Sequence, residues 1–321
     1  YVLERLPSIR KAIEQSSYSN ACKELLNIQV DLAATGKIAM TDRELKSAYI
    51  AVNKLNREKA NEYFSNTHID IPEGYYDILK EFTSINTLKA LYGRQYASTI
   101  YLISFMPNYR EILKETLGTN QGPLFDYIKF NELYHSIKDF IPLTADQEIE
   151  IKKLSSPAYT EMLTQTNKET IKKIELNKRK SGFTINEAGE VSNEDLFPSI
   201  LSKFRGHTLL VDIWATWCGP CRMANKAIAP MKEELKEKDI IYLYITGETS
   251  PKGTWENMIS DIHGEHFRVT NEQWNFLMSN LNIEGVPTYF IIDPEGNITY
   301  KKTGFPGVET MKEQLLKTLS K

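Results

Sequence analysis

Cysteine is scarce in this chain, with three residues among 321. That number excludes a disulfide-rich scaffold, which needs a far higher density. It also excludes a zinc or iron–sulfur site made of four thiolates. Long apolar runs are missing as well: the longest, such as 99–106 and 208–215, fall well short of the about 20 residues that span a membrane. The chain opens at Tyr1 with no signal sequence, so we expect a mature or truncated product whose signal or membrane tether lies outside the given sequence.

A surplus of positive charge is also absent, because 39 Lys and Arg face 42 Asp and Glu for a net charge of −3. This balance argues against a nucleic-acid partner, which usually requires a basic domain. The one marked basic cluster lies within 172–180. We interpret it as the polar face and last turn of a helix, in preference to a docking site for an acidic partner or lipid headgroups.

Residues 1–180 carry apolar side chains at the three- and four-residue spacing of helices. We predict an all-helical domain of unknown function with about seven helices and no strand. Helix starts are expected at Thr41 and Thr144, and one helix through Ile78, Phe82, Ile85 and Leu88. Helix breaks are expected at three prolines: Pro107, Pro123 and Pro142. Cys22 falls in a helical segment, where we expect a small buried apolar side chain in preference to a third thiol in a relay.

Residues 181–321 change in character, since apolar strand-like runs alternate with helical patterns. The expected strands are 208–215, 239–246, 287–292 and 298–300. The expected helices are 220–237, 272–281 and 307–320. This order predicts an α/β domain with a mixed sheet and helices on both faces.

The chemistry of the second domain centres on Trp217-Cys218-Gly219-Pro220-Cys221, directly after the first buried strand. Cysteines at i and i+3 on a helical turn have Cα atoms about 5–6 Å apart, within disulfide range. A helix start stabilises a thiolate at Cys218, and Pro220 suits the first turn. Because Gly219 leaves the sulfur open, we expect an exposed nucleophile with a resolving thiol behind it. The alternative is a zinc site completed by His263 and His266, which we expect instead as solvated side chains in a polar loop.

Two segments resemble the thioredoxin superfamily: Val211 to Met223, around the cysteines, and Gly285-Val286-Pro287-Thr288. The resemblance covers about 182–321 and is greatest to the extracytoplasmic TlpA/ResA-type thiol–disulfide reductases. In that comparison 182–204 would form an N-terminal hairpin and lead-in, and 247–271 an insert. The chain departs from the group at Ala224, where a Glu is common, and at Pro230, where the helix proline comes late.

The resemblance implies roles for individual residues. Cys218 would attack a substrate disulfide and Cys221 would resolve the mixed disulfide. Asp212 would transfer the proton as a buried acid, the alternative being an Asp that points outward at a strand end. The lysine usual beside this acid has no match on the neighbouring strand, which carries Ile245 and Thr246.

Substrate contacts are implied as well. Pro287 would be cis and would place the Val286 backbone opposite the nucleophile, ready to pair with an extended substrate. The substrate-binding set is Trp217, Gly219, Pro220, Val286, Pro287 and Thr288, with the loop around Ile283 completing an apolar rim.

The Gly-Pro dipeptide between the cysteines is that of reducing thioredoxins, so we expect a reductase of protein disulfides. It would need no metal or cofactor beyond its own disulfide. The expected partners are protein thiols or disulfides and an electron-donor thiol protein, soluble or in the membrane, at a periplasmic or other extracytoplasmic location. The alternatives are an isomerase or oxidase using the same cysteines, and a non-catalytic binding or dimerisation module. A peroxiredoxin is disfavoured because 208–223 has no Thr-x-x-Cys segment.

Overall fold

A computed structural model describes residues 2–55, 57–67, 71–80, 93–189 and 191–320. The fold divides into two units, one of Tyr1–Asn131 with Leu154–Ser156 and one of Glu132–Lys153 with Pro157–Lys321. The second unit starts upstream of residue 181. The domain boundary at 180/181 rests on the change in sequence character and stays a prediction. In the part of the chain that is described, no helix is long and apolar enough to cross a membrane.

The first unit is helical among its described residues, as the apolar spacing predicts. Its helices are α1 (Val2–Gln15), α2 (Asn20–Asn53), α3 (Arg57–Asn66), α4 (Gly93–Ile103), α5 (Tyr109–Leu117) and the first half of α6 (Pro123–Lys138). Their apolar faces share a core that includes Leu32, Ile103 and Leu113. Of the helix expected through Ile78, the positions Phe82, Ile85 and Leu88 lie outside the described residues.

One of the two expected helix starts is wrong. Thr41 lies inside α2, where its hydroxyl donates to the carbonyl oxygen of Lys37 at 2.9 Å and caps nothing. Thr144 does cap α7 (Ala145–Glu150): its hydroxyl accepts from the Gln147 N–H, and the Gln147 side chain accepts from the Thr144 N–H. A residue can cap a helix only where the residues before it are not helical, and of these two threonines Thr144 alone meets that condition.

The second unit contains a six-stranded mixed sheet in the order β1-β4-β3-β2-β5-β6, which confirms the predicted α/β class. The strands are β1 (Phe183–Asn186), β2 (Thr208–Ile213), β3 (Ile240–Gly247), β4 (Gly264–Val269), β5 (Thr288–Ile292) and β6 (Ile298–Thr303). The helices that follow α7 are α8 (Pro157–Asn177), α9 (Asn193–Ser202), α10 (Gly219–Glu234), α11 (Lys252–Ile259), α12 (Asn271–Asn280) and α13 (Val308–Leu319). The pairs β1–β4, β4–β3 and β3–β2 are parallel, and β2–β5 and β5–β6 are antiparallel.

Strand β2 is buried along its whole length, because helices cover both faces of the sheet. Its odd-numbered residues, such as Val211, pack with α9 and α12. Leu210 packs on the other face with α10 and α13. Side chains alternate along a strand, so Asp212 shares the face of Leu210. The buried acid therefore lies under α10, the helix that carries Cys221.

Two expectations about the flanks of this sheet are wrong. Residues 182–204 form no hairpin, because β1 pairs in parallel with β4 and a helix follows it. The expected polar loop at 263–266 becomes strand β4 from Gly264 onward, paired on both sides by β1 and β3. Gly264 has φ of +136°, and a Cβ there would lie 2.4 Å from the Tyr242 carbonyl oxygen, so the strand can begin this close to β3 only with glycine.

Candidate active site

The two motif cysteines form a disulfide at the N-terminus of α10. Their Cα atoms are 5.3 Å apart. Cys218 is the N-cap residue, and its Sγ accepts a hydrogen bond from the Cys221 N–H at 3.1 Å. Pro220 lies in the first turn, where a missing N–H leaves no bond unmade. The predicted position at a helix start is confirmed, and a thiolate at Cys218 would receive this N–H and the positive end of the helix dipole.

The sulfur of Cys218 is less accessible than expected. Cys218 is 4% exposed and Cys221 is fully buried. In the disulfide form the Cys218 Sγ lies 3.7 Å from the carbonyl oxygen of Val286, although the space beside Gly219 is open. The exposed apolar surface next to the pair belongs instead to Trp217 and Met223, at 59% and 68%.

A loop after β3 holds the motif in place, and no sequence pattern predicts this contact. The indole Nε1 of Trp217 donates to the Thr249 hydroxyl at 3.2 Å. The N–H of Thr216 donates to the Ser250 hydroxyl at 3.0 Å, and that hydroxyl shares a 2.7 Å hydrogen bond with Thr246. The orientation of the exposed Trp217 ring is thus fixed from the side.

The second motif faces the disulfide through its backbone. The Val286–Pro287 peptide bond is cis, as predicted. Thr288, expected among the substrate-binding residues, is completely buried between β2 and β6, and its hydroxyl donates to the Gly285 carbonyl oxygen at 2.7 Å. Ile283 is also buried in the core, so its own side chain does not contribute to the expected apolar rim, and a contribution from the loop around it stays a prediction. From this second motif, the carbonyl oxygen of Val286 is the group that contacts the sulfur of Cys218.

Asp212 is buried, at 2% exposure, so the alternative of an Asp pointing outward is wrong. Neither carboxyl oxygen has a hydrogen-bond partner in the described part of the chain. Tyr244 and Tyr289 are its neighbours in register on β3 and β5. Burial raises the pKa of Asp212 well above its usual range, and the charge of Lys232 opposes that rise.

The cation that acts on this acid comes from a helix and not from the neighbouring strand β3. Lys232 of α10 donates from Nζ to the Tyr244 hydroxyl at 3.1 Å and to the carbonyl oxygen of His263. It lies 4.5 Å from the centre of the Tyr242 ring. Burial lowers the pKa of Lys232 to about 8, and the charge of Asp212 opposes this fall. The available signal was spacing: Lys232 is three helical turns after Cys221, on the same face.

The two histidines of the zinc alternative, His263 and His266, lie in different environments. His266 is fully buried, with its ring stacked on Tyr244 at 4.8 Å and its Nε2 2.7 Å from the Ile262 carbonyl oxygen. Burial lowers its pKa to about 4, so it is neutral at pH 7. His263 is exposed. Among the described residues, no three His, Cys, Asp or Glu side chains are grouped to hold a metal.

Cys22 lies in the first turn of α2, half-buried and not part of a disulfide.

Comparison with known proteins identifies the domain that carries this site. Residues 180–318 match the family model described as Redoxin. They form a redoxin domain. The redoxin domain is similar to the thiol:disulfide interchange protein DsbE of Pseudomonas fluorescens, with 29% identity over 100 residues, which are 31% of this chain and 53% of DsbE.

A second relative of the redoxin domain is the thiol-disulfide oxidoreductase ResA of Bacillus subtilis. It is 25% identical over 116 residues, which are 36% of this chain and 61% of ResA. The chain thus spans between one half and two thirds of the length of these relatives. Among solved structures, the thioredoxin domain of a thiol-disulfide oxidoreductase from Bacteroides vulgatus matches with 20% identity and a TM-score of 0.32, covering 36% of this chain and 82% of that one.

Proposed function

We propose that this protein is a thiol–disulfide oxidoreductase that reduces disulfide bonds in other proteins through Cys218 and Cys221. One observation carries the proposal: the two sulfurs are already bonded at the N-terminus of α10, and Cys218 lies beside the Val286 backbone. The relatives of the redoxin domain are named as a thiol:disulfide interchange protein and a thiol-disulfide oxidoreductase, which supports exchange chemistry at this site without giving its direction.

The proposed cycle exchanges one disulfide for another. The Cys218 thiolate attacks one sulfur of the substrate disulfide, and the second substrate sulfur leaves as a thiolate that takes up a proton. Cys221 then loses its proton and attacks Cys218 Sγ. This closes the 218–221 disulfide and releases the first substrate thiol. Two electrons pass to the substrate, and a dithiol electron-donor protein returns the pair to the reduced form.

Asp212 is the proposed proton acceptor for Cys221. It lies on the face of the sheet that α10 covers, and burial raises its pKa, so its ionised form is a stronger proton acceptor than an exposed carboxylate. Lys232 is the proposed counter-charge, because its attraction favours the ionised carboxylate that must receive the proton. In this proposal Lys232 of α10 takes the place of the lysine that thioredoxins usually have beside the buried acid.

Substrate binding would use backbone and exposed apolar surface. An extended substrate segment can pair with the Val286 backbone next to the disulfide. The exposed Trp217 and Met223 side chains offer apolar contact beside it, with Gly219 and Pro220 between the cysteines. Pro287 and Thr288 lie buried behind this surface and would position the Val286 backbone.

The direction of transfer is tested by the reduction potential of the 218–221 pair. We expect a value below about −200 mV, because Gly-Pro between the cysteines is typical of reducing thioredoxins. Their reduction potential is about −270 mV, whereas that of DsbA-type oxidants is about −120 mV. The measurement equilibrates the protein in dithiothreitol redox buffers and counts alkylated thiols. The Cys22→Ser variant serves as the control and should give the same potential. A value above about −200 mV would favour the oxidase or isomerase instead.

We further propose an extracytoplasmic location, since the resemblance is greatest to reductases of that compartment. Cys22 provides the test because it is a half-buried thiol outside the disulfide. A membrane-impermeant maleimide added to intact cells should label the Cys218→Ser/Cys221→Ser variant, in which Cys22 is the remaining thiol, and should not label the variant that carries Cys22→Ser as well. Labelling that requires cell lysis would place the protein inside the cytoplasm.

A further inference from the structure

A surface pocket of about 500 Å³ lies within the second unit, beside α10. Its walls come from the end of α6, from α8, from α10 and from the segment that ends α11. The lining residues used below are Lys138, Lys173, Trp214, Arg222, Asn225 and Lys226. Pockets of about 300–1,000 Å³ are the usual size for small-molecule sites.

The charged side chains that line this pocket are mainly positive. Lys138, Arg222 and Lys226 line it, and none of them has a carboxylate within ion-pair distance in the described part of the chain. Lys173 adds a fourth cation, 3.4 Å from Asp261. Asp261 is the only acid of the lining, and it also pairs with Lys180. Its negative charge is therefore shared between two lysines, which leaves a net positive rim.

The inner wall of the pocket is mainly apolar and contains buried polar groups that have no hydrogen-bond partner among the described residues. Trp214 is completely buried, and its indole N–H has no acceptor among the described residues. The side-chain amide of Asn225 has no hydrogen-bond partner there either. Met258 and Ile262 complete this wall with apolar surface. A buried N–H donor without an acceptor is unfavourable, so the base of the pocket contains polar groups whose hydrogen bonds are not made.

We propose that this pocket binds a small organic anion, with an apolar body against Trp214, Met258 and Ile262 and an acidic group facing Lys138, Arg222 and Lys226. The site is separate from the substrate surface at Trp217 and Val286. Trp214 packs in one cluster with Cys218 and Cys221, so a ligand on Trp214 is one side chain away from the disulfide. The inference does not depend on the redox activity.

The test compares two probes that differ only in charge, using the full chain. The anion is 1-anilinonaphthalene-8-sulfonate, and the neutral analogue is N-phenyl-1-naphthylamine, which lacks the sulfonate. We expect the anion to bind saturably at one site. Lys138→Met and Lys226→Met should each weaken the anion about threefold and together about tenfold, on the scale of single exposed ion pairs. Binding of the neutral probe should not change.

Two controls keep the result specific. Lys317→Met removes an exposed lysine of α13 that does not line the pocket, and it should leave both probes unaffected. In an NMR titration the Trp214 indole N–H signal, assigned with Trp214→Phe, should shift more than those of the other three tryptophans. Absence of anion binding, equal loss in Lys317→Met, or loss of the neutral probe alongside the anion would each overturn the proposal. Circular dichroism of each variant checks that it is folded.

Discussion

Replacement of Cys218 by Ser should abolish the reduction of a protein disulfide, to below about one-thousandth of the wild-type rate. The reason is that this sulfur forms the covalent bond to the substrate, and removal of a covalent nucleophile typically has effects of this size or larger. The measurement follows insulin reduction with dithiothreitol as the donor, after subtraction of the reaction without protein. Cys22→Ser is the matched control, because it makes the same substitution at a cysteine outside the disulfide, and it should keep full activity.

The partner cysteine gives a different result when the reduced variant is mixed with insulin after the dithiothreitol has been removed. Cys221→Ser should also stop turnover, but it should accumulate a mixed disulfide between Cys218 and the substrate, because the resolving thiol is missing. Non-reducing gel electrophoresis detects this species, and dithiothreitol should release it. The double variant Cys218→Ser/Cys221→Ser should show none. Trapping with Cys221→Ser in cells would also identify the physiological substrate.

These variants separate the proposed enzyme from the non-catalytic alternative. If Cys218→Ser retained cellular function, the redoxin domain would act as a docking module. If Cys221→Ser formed no mixed disulfide, the assigned order of attack would be wrong. A mixed disulfide through Cys22 would instead assign that residue to a relay.

The sequence was informative where local chemistry fixes geometry. Two cysteines and a proline at the start of a helix predict the position of the reactive sulfur. The N–H groups of the first turn have no partner within the helix, and the positive end of the helix dipole lies there. The cis bond at Pro287 was predicted from the resemblance and is confirmed. The burial of Asp212 followed from its position in a strand that is otherwise apolar.

The sequence was less informative where tertiary contacts decide. Gly264 and His266 have the composition of a loop, yet β4 is held between β1 and β3, and stacking on Tyr244 buries His266. Lys232 was not predicted because it acts on the acid from α10, whereas the resemblance places the lysine on the neighbouring strand. The exposure of Cys218 could not be predicted either, since it depends on the contact with the distant Val286.

Asp212→Asn should make the second unit more stable at high pH, by about 1–3 kcal/mol, the scale of a buried polar group without partners. Burial raises the pKa of Asp212, so the folded protein keeps its proton to a higher pH than the unfolded chain, where the pKa is about 3.9. Stability is therefore lost as pH rises from there through the folded pKa. The gain from Asn should be smallest near pH 4 and largest above the folded pKa. Urea unfolding followed by tryptophan fluorescence measures it, because all four tryptophans lie in the second unit.

The charge of Lys232 provides the matched variant in the same experiment. Lys232→Met removes the attraction that lowers the Asp212 pKa, so the pH at which stability falls should move upward. The rate at which Cys221 resolves the mixed disulfide should move with it, because both report ionisation of one carboxyl group. Glu237→Gln, which removes a negative charge from an exposed site, should alter neither. If the pH midpoints of stability and resolution did not move together in Lys232→Met, Asp212 would be a buried acid without a part in the proton transfer.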